Sequence, residues 1–359
     1  MEGEKKDNNK TFKIFVMVLI VTSLFLLKEE NQEKLIGFIN SISSKEKTLV
    51  LVESFPKEDI LDVNIYGDTI IKWEANKLSF LNIDGSKIVD KEFNFEDPDI
   101  YFAGEIIYPM DKSSGDIYFL DKKGETIDRL EMDKEIFNFE SQDQNVIYHG
   151  KSDSGEEVNI LDKNQVQIGN YSYETENILR YAINKPGKKF ALALIDINEE
   201  SIKTRIDLYG ENNEKLDQID IYGEIVVYLE FVSKDEIIAL TDSGIHYIKD
   251  GEVLWKKELS LVKDIYINGK EINILYSNYL ETIDFHGETK EKIGFTEEYK
   301  KTMAFKNDIL VYGDNHLVLV QGKKEILKEE IEIKKLYTSK DKILIWGPEE
   351  LKIYEVIGK

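Results

Sequence analysis

The sequence predicts an all-β protein: an eight-bladed β-propeller preceded by one N-terminal transmembrane helix. Three observations carry this. A turn recurs eight times after a short apolar-rich run, at Asp84-Gly85, Lys123-Gly124, Lys163-Asn164, Tyr209-Gly210, Asp250-Gly251, His286-Gly287, Gln321-Gly322 and Ile357-Gly358. Successive intervals are 39, 40, 46, 41, 36, 35 and 36 residues. Within each unit four strand signals follow one another, and a self-similar period of about forty residues marks a radial β-repeat. An uncharged apolar segment precedes the repeats.

The elements divide the chain into a cytoplasmic tail (1–13), a transmembrane anchor (14–27), a stalk (28–46) and the propeller (47–359). Eleven of the fourteen residues from 14 to 27 are Leu, Ile, Val or Phe. They span about 21 Å of a ~30 Å hydrocarbon core, and Lys13 and Lys28 can snorkel to complete the crossing. Lys5, Lys6, Lys10 and Lys13 place the N-terminus in the cytoplasm and the rest outside. The rival is a cleaved signal peptide, but Lys28-Glu29-Glu30 and the residues after them offer no small-residue cleavage site. In the stalk, Leu35, Ile36, Phe38, Ile39 and Ile42 fall at helical spacing, although Gly37 weakens the helix.

In the first unit the strand signals are 60–66, 69–73, 78–83 and 88–93. The second has 100–103, 105–108, 116–120 and 126–130. Paired aliphatic residues recur on the second strands, as Ile70-Ile71, Ile106-Ile107, Val146-Ile147, Ile237-Ile238, Ile309-Leu310 and Ile343-Leu344. Such pairs suit strands covered on both faces. The eighth unit offers only 334–338, 342–346 and 351–357, and residues 48–55 are expected to supply its outer strand and close the ring. Seven blades is the alternative count.

The run from Asp250 to Leu259, with Gly251 and Trp255, resembles the repeat of quinoprotein-like (PQQ-type) propellers, in which a turn glycine is followed by a docking tryptophan between blades. The chain is also similar to clostridial, N-terminally anchored PQQ-like propeller proteins. The resemblance implies the fold, with Val, Ile or Leu at the other docking positions, and brings no activity. It implies that Trp255 is packed between blades, whereas Tyr171, on an outer strand, is expected to matter less. Envelope-assembly scaffolds of PQQ-like fold offer an analogy for function.

Composition excludes several chemistries. The net charge is −23, so no basic stripe awaits nucleic acid. The absence of cysteine removes disulfides, thiolate metal sites and thiol nucleophiles. His149, His246, His286 and His316 each stand alone in their unit, and no cofactor, metal or catalytic residue is assigned. Loops joining second to third strands are lengthened at 111–115, 150–157 and 196–202. Acidic residues crowd the loops between blades on the same face. Asp97, Asp99, Asp153, Glu156, Glu174 and Glu176 form a candidate rim for a cationic partner, with ordinary solvated loops as the competing reading. The expected function is a membrane-anchored, extracytoplasmic scaffold of a Gram-positive-type cell envelope that binds a protein or cell-wall component. The alternative is an enzyme or lectin acting on a wall glycan or other polysaccharide at the channel mouth. Convergent carboxylates there would favour the enzyme and an apolar mouth the scaffold.

Overall fold

In the computed structural model, residues 46–57, 59–142, 145–196 and 201–358 are described. They form eight four-stranded antiparallel sheets. Blade one runs from Asp62–Tyr66 to Lys87–Glu92, and blade two from Pro98–Ala103 to Thr126–Glu131. Blades three to seven end on outer strands Gln167–Tyr173, Lys215–Tyr222, Glu252–Glu258, Thr289–Gly294 and Lys324–Glu330. Neighbouring first strands pack on one another, so the first strand of each blade is innermost and borders the axis. The anchor segment 14–27 and the stalk lie outside the described residues. Among those residues no helix is long and apolar enough to cross a membrane.

The eighth blade closes as expected. Its first three strands are Lys335–Ser339, Lys342–Trp346 and Glu350–Gly358, and its outer strand is β1, Lys47–Pro56. β1 pairs antiparallel with Glu350–Gly358, from Lys47↔Gly358 to Pro56↔Glu350. Ile357-Gly358 is therefore the end of a paired strand and not an eighth turn.

Eight apolar clusters hold the ring together, one at each junction between adjacent blades. The paired aliphatics on second strands explain how one strand serves two junctions. Ile70 joins the cluster with blade eight, and Ile71 the cluster with blade two. Val146 and Ile147 divide the same way, as do Ile237 and Ile238, and Ile343 and Leu344. Adjacent strand residues point to opposite faces, so a sheet sandwiched between neighbours needs both to be apolar.

The turn between third and outer strands shares one geometry in blades one, two, three, four and six, while blades five and seven use two-residue turns at 250–251 and 322–323. In blade two Gly124 takes φ +82°, and its N–H donates to Asp121 O at 2.9 Å. Asp121 Oδ1 accepts the N–H groups of Lys123 (2.9 Å) and Glu125 (2.8 Å). In blades three and four the left-handed residue is Gln165 or Asn213, rather than Asn164 or Gly210. A β-bulge follows in the outer strand of every blade, opposite the fourth and fifth residues of the third strand in blade one and at the equivalent point elsewhere. The bulged residues are Ile88, Ile127, Ile168, Leu216, Leu254, Lys290, Ile326 and Val52. In blade eight no turn precedes the outer strand, yet the bulge is kept. It twists each outer edge away from straight pairing with another chain.

In blades four, five and six the residue after the bulge docks over the turn of the next blade, whereas Phe55 and Phe80 cover Gly85 and Gly124. Trp255 stacks on Tyr247, with ring centroids 5.4 Å apart, and lies against Gly287 of blade six. At the same position Asp217 and Glu291 stand over Gly251 and Gly322 of the following blades. The equivalent residues elsewhere are Val89, Asp128, Gly169, Leu327 and Glu53. The expectation of Val, Ile or Leu thus holds at Val89 and Leu327, while acidic side chains take four positions. Tyr171 also departs from expectation: it is 5% exposed, packs on Tyr209 and Phe190, and donates to Asn213 Oδ1 at 2.9 Å.

Candidate functional site

Loops joining second to third strands share a face with those joining blades. Leu259 N–H donates to Ser243 O (2.9 Å), Phe295 N–H to Asn278 O (2.8 Å), and Ile331 N–H to Asn315 O (3.0 Å). These bonds tie the two loop sets into one layer, hereafter the loop face. The chain enters the propeller on the opposite face, because Lys47 pairs with the far end of Glu350–Gly358. It reaches the loop face only after Pro56, where Lys57 N–H donates to Glu349 O at 2.8 Å.

The second-to-third loops of blades two, three and four span 112–115, 152–155 and 196–202, against two residues in blades one, five and six. The six acidic residues of the sequence-derived rim divide into two groups. Asp97, Asp153 and Glu174 are exposed, and their carboxylates take no partner among the described residues. The other three act within the fold. Glu156 accepts from His149 Nε2 (3.1 Å), Asn177 Nδ2 (2.9 Å) and Ile178 N–H (2.7 Å). Burial acts to raise its carboxyl, but these donors outweigh it and hold the group below the usual range. Glu176 pairs with Arg205 at 2.8 Å. Asp99 accepts its neighbour Ile100 N–H at 2.8 Å and lies 3.8 Å from Lys112.

The mouth of the central channel on this face is formed by the starts of the first strands. Asp62 of blade one and Asp99 of blade two make an acidic sector. In blades three to six a β-bulge interrupts the start of the first strand, at Phe137, Leu179, Val227 and Lys263. A bulge re-aims the side chain that it carries. Phe137 (40% exposed) and Val227 (36%) flank Leu179 in an apolar sector. Arg180 crosses it, donating to Val227 O (2.6 Å) and Leu179 O (2.5 Å). Lys263, Lys301 and Lys335 of blades six to eight make a basic sector.

Two carboxylates on first strands are pushed upward by burial, Glu140 and Asp264. Glu140 accepts from Gln142 Nε2 at 3.0 Å, and Asp264 from Thr302 N–H at 2.9 Å. They belong to blades three and six, so they are not an adjacent acid–base pair. A separate buried network lies under the loop face of blade five. Glu224 accepts from Thr241 Oγ1 (2.6 Å), Lys256 Nζ (2.6 Å) and His246 Nε2 (2.9 Å). Burial alone would raise the carboxyl, but the three donors hold it at about 2. His149 and His246 are thus each paired with a glutamate in separate blades, and among the described residues no three metal-binding side chains gather.

Sequence reasoning missed the lysines. Lys300, Lys301, Lys334 and Lys335 line a cavity of about 380 Å³ between blades seven and eight, together with Tyr312, Asp314 and Tyr337. The two Lys-Lys pairs occupy the same place in successive repeats, just where the first strand begins. That repeated doublet was the signal available.

The architecture and its docked turns define a PQQ-like eight-bladed β-propeller. A family model described as "Family of unknown function (DUF5711)" matches residues 45–326, and the chain belongs to that family. No curated protein matches the sequence. Among solved structures the chain is similar to BamB from Moraxella catarrhalis, at 12% identity and TM-score 0.56 over 86% of this chain and 100% of that one. It is also similar to Saccharomyces cerevisiae Sqt1, at 10% identity and TM-score 0.62 over 87% and 100% of the two chains. A eukaryotic initiation factor matches at 13% identity and TM-score 0.57, over 84% of this chain and 88% of that one. At these identities the likeness concerns fold alone.

Proposed function

We propose that this protein is a membrane-tethered docking platform whose loop face binds a cationic protein or cell-wall component outside the cell. The observation that carries this reading is the unpartnered state of Asp97, Asp153 and Glu174 on the lengthened loops of blades two and three and the loops beside them. Carboxylates left free of internal partners are available to another molecule, and charge attraction on an exposed rim speeds association. The apolar sector of Phe137, Leu179 and Val227 supplies a non-polar surface beside them.

The anchor is residues 14–27, and the sequence features that support it are its apolar run and the lysines before it. Because the chain enters on the opposite face, such an anchor turns the loop face away from the membrane. The test has two arms. Fractionated cells carrying N- and C-terminal tags on the full chain are expected to keep both tags in the membrane; a soluble species without its N-terminus removes the anchor. Crosslinked full-length protein is expected to capture a basic partner that the triple variant D97N/D153N/E174Q loses. Capture unchanged by the variant removes the rim.

A further inference from the structure

In a chain of net charge −23, the lining of the cavity between blades seven and eight holds more ammonium groups than carboxylates. Four lysines and one aspartate line it. Three of these lysines have carboxylate partners: Lys300 pairs with Asp314, Lys301 with Asp264 at 3.5 Å, and Lys335 with Asp62 at 3.1 Å. Lys334 has no ion pair among the described residues. Its neighbour is another lysine, Lys57, from the segment linking β1 to blade one. Burial and the adjacent Lys334 ammonium push Lys57 below the usual lysine range, and Glu349 only partly offsets them. Lys57 and Lys335 also stand over the ring of Trp346, at 5.5 and 5.3 Å from its centroid. The buried Trp346 Nε1 has no hydrogen-bond partner among the described residues.

Four lysines from two segments more than thirty residues apart therefore line one concave site, and Lys57 stands beside Lys334 outside that lining. Lys334 is the lining lysine without a carboxylate partner among the described residues, which leaves its ammonium available to an anion in the cavity. An ammonium is a compact point charge with three donors, suited to phosphate oxygens. The cavity lies at the low end of the ~300–1,000 Å³ range of small-ligand sites. It has room for more than a bare oxyanion, and Ile333, Leu336, Tyr312 and Tyr337 give it apolar walls with hydroxyls.

We propose that this cavity is a binding site for a phosphate-bearing ligand, with Lys334 as its principal anion contact. It is distinct from the acidic rim, which lies across the channel mouth on blades two to four. The proposal does not depend on the rim or on the anchor.

The experiment is calorimetric titration of the purified full-length chain in detergent with two probes, glycerol phosphate and inorganic phosphate, against glycerol and sodium chloride at matched concentration and ionic strength. Saturable binding of a phosphate probe is expected, with none for glycerol or chloride. Lys334→Gln is expected to weaken it at least tenfold, and adding Lys57→Gln beside it to weaken it further. Lys163→Gln, on an outer turn of blade three, should leave it unchanged. Melting curves for each variant separate lost binding from lost folding; Lys334 is exposed and Lys57 half-buried. Tighter binding of glycerol phosphate assigns the site to a phosphorylated polyol, and equal binding assigns it to free phosphate. No saturable binding of either probe, or binding undiminished in the folded double variant, overturns the proposal.

Discussion

Trp255 Nε1–H donates to Phe285 O at 2.9 Å, which joins the outer strand of blade five to the last turn of blade six. The indole also covers Gly287, where an added Cβ would meet the ring at 3.1 Å. One side chain thus supplies a stacking partner, an interblade hydrogen bond and a lid on a left-handed glycine.

Trp255→Ala is expected to cost about 3 kcal/mol, the lower end of the range for truncating a large packed aromatic. Tyr171→Ala should cost a similar amount, because that ring is buried. Tyr222→Ala, at 71% exposure, should stay within about 0.5 kcal/mol. Urea denaturation of the three variants checks the order. A tryptophan variant as stable as the Tyr222 variant would show that docking contributes nothing.

Deleting Lys47–Pro56 should leave a ring that associates through its open edge. The backbone groups of Glu350–Gly358 that now pair with β1 would be unpaired, as would the apolar side of Leu351 and Ile353. Light scattering is expected to show dimers or larger species. A monomeric deletion variant that melts with the parent contradicts this.

Gly251→Ala should destabilise through both backbone and contact. Its φ of +81° costs an L-residue about 1–2 kcal/mol. Its new Cβ would also lie 1.8 Å from Asp217 Oδ2, so that carboxylate must move. Adding Asp217→Ala should recover part of the loss, as read from paired melting curves.

Glu224 makes stability depend on pH in the acid range. Its folded carboxyl lies at about 2, below the ordinary value near 4.3. The unfolded chain therefore binds the proton first, and the stabilisation is complete above about pH 4.3 and lost as pH falls toward 2. Glu224→Gln is expected to lower the melting temperature at pH 7 and to flatten its fall below pH 4.3. A parallel offset at every pH would remove Glu224 from the titration.

At the rim, D97N/D153N/E174Q should slow association of an oligolysine peptide about tenfold at low salt, since steering by surface charge acts mainly on the on-rate. The difference should vanish near 1 M salt, where the screening length is about 3 Å. Glu156→Gln should instead lower stability, because its carboxylate holds Ile178 and Asn177. Surface-plasmon rates and melting curves distinguish the two behaviours.

Much of the ring was legible because its causes are local. Aliphatic pairs such as Ile70-Ile71 report a strand covered on both faces, and the recurring turns report a hairpin at the end of each of the first seven units. The missing fourth strand of the last unit pointed to residues 48–55, since an open edge needs a partner. Other features depend on register. The bulge shifts the docking position by one residue, which places Asp217 and Glu291 where an aliphatic residue was expected and turns Tyr171 inward. Of the rim, sequence named six acids, but whether Glu156 or Glu176 is already engaged depends on His149 in the same blade, on Asn177 of the next and on Arg205, far away in sequence. The lysine site was hidden because the Lys300-Lys301 and Lys334-Lys335 doublets are far apart in sequence and meet only where blades seven and eight pack.

That closure has a mechanical meaning. β1 runs from the entry face toward the loop face, alongside Glu350–Gly358 from end to end. When a partner holds the loop face and the N-terminal segment pulls from the other side, the tension runs along the strand. The bonds between Lys47↔Gly358 and Pro56↔Glu350 are then sheared together, not opened in turn. A protein stretched between two attachments would resist at the blade that joins its two ends.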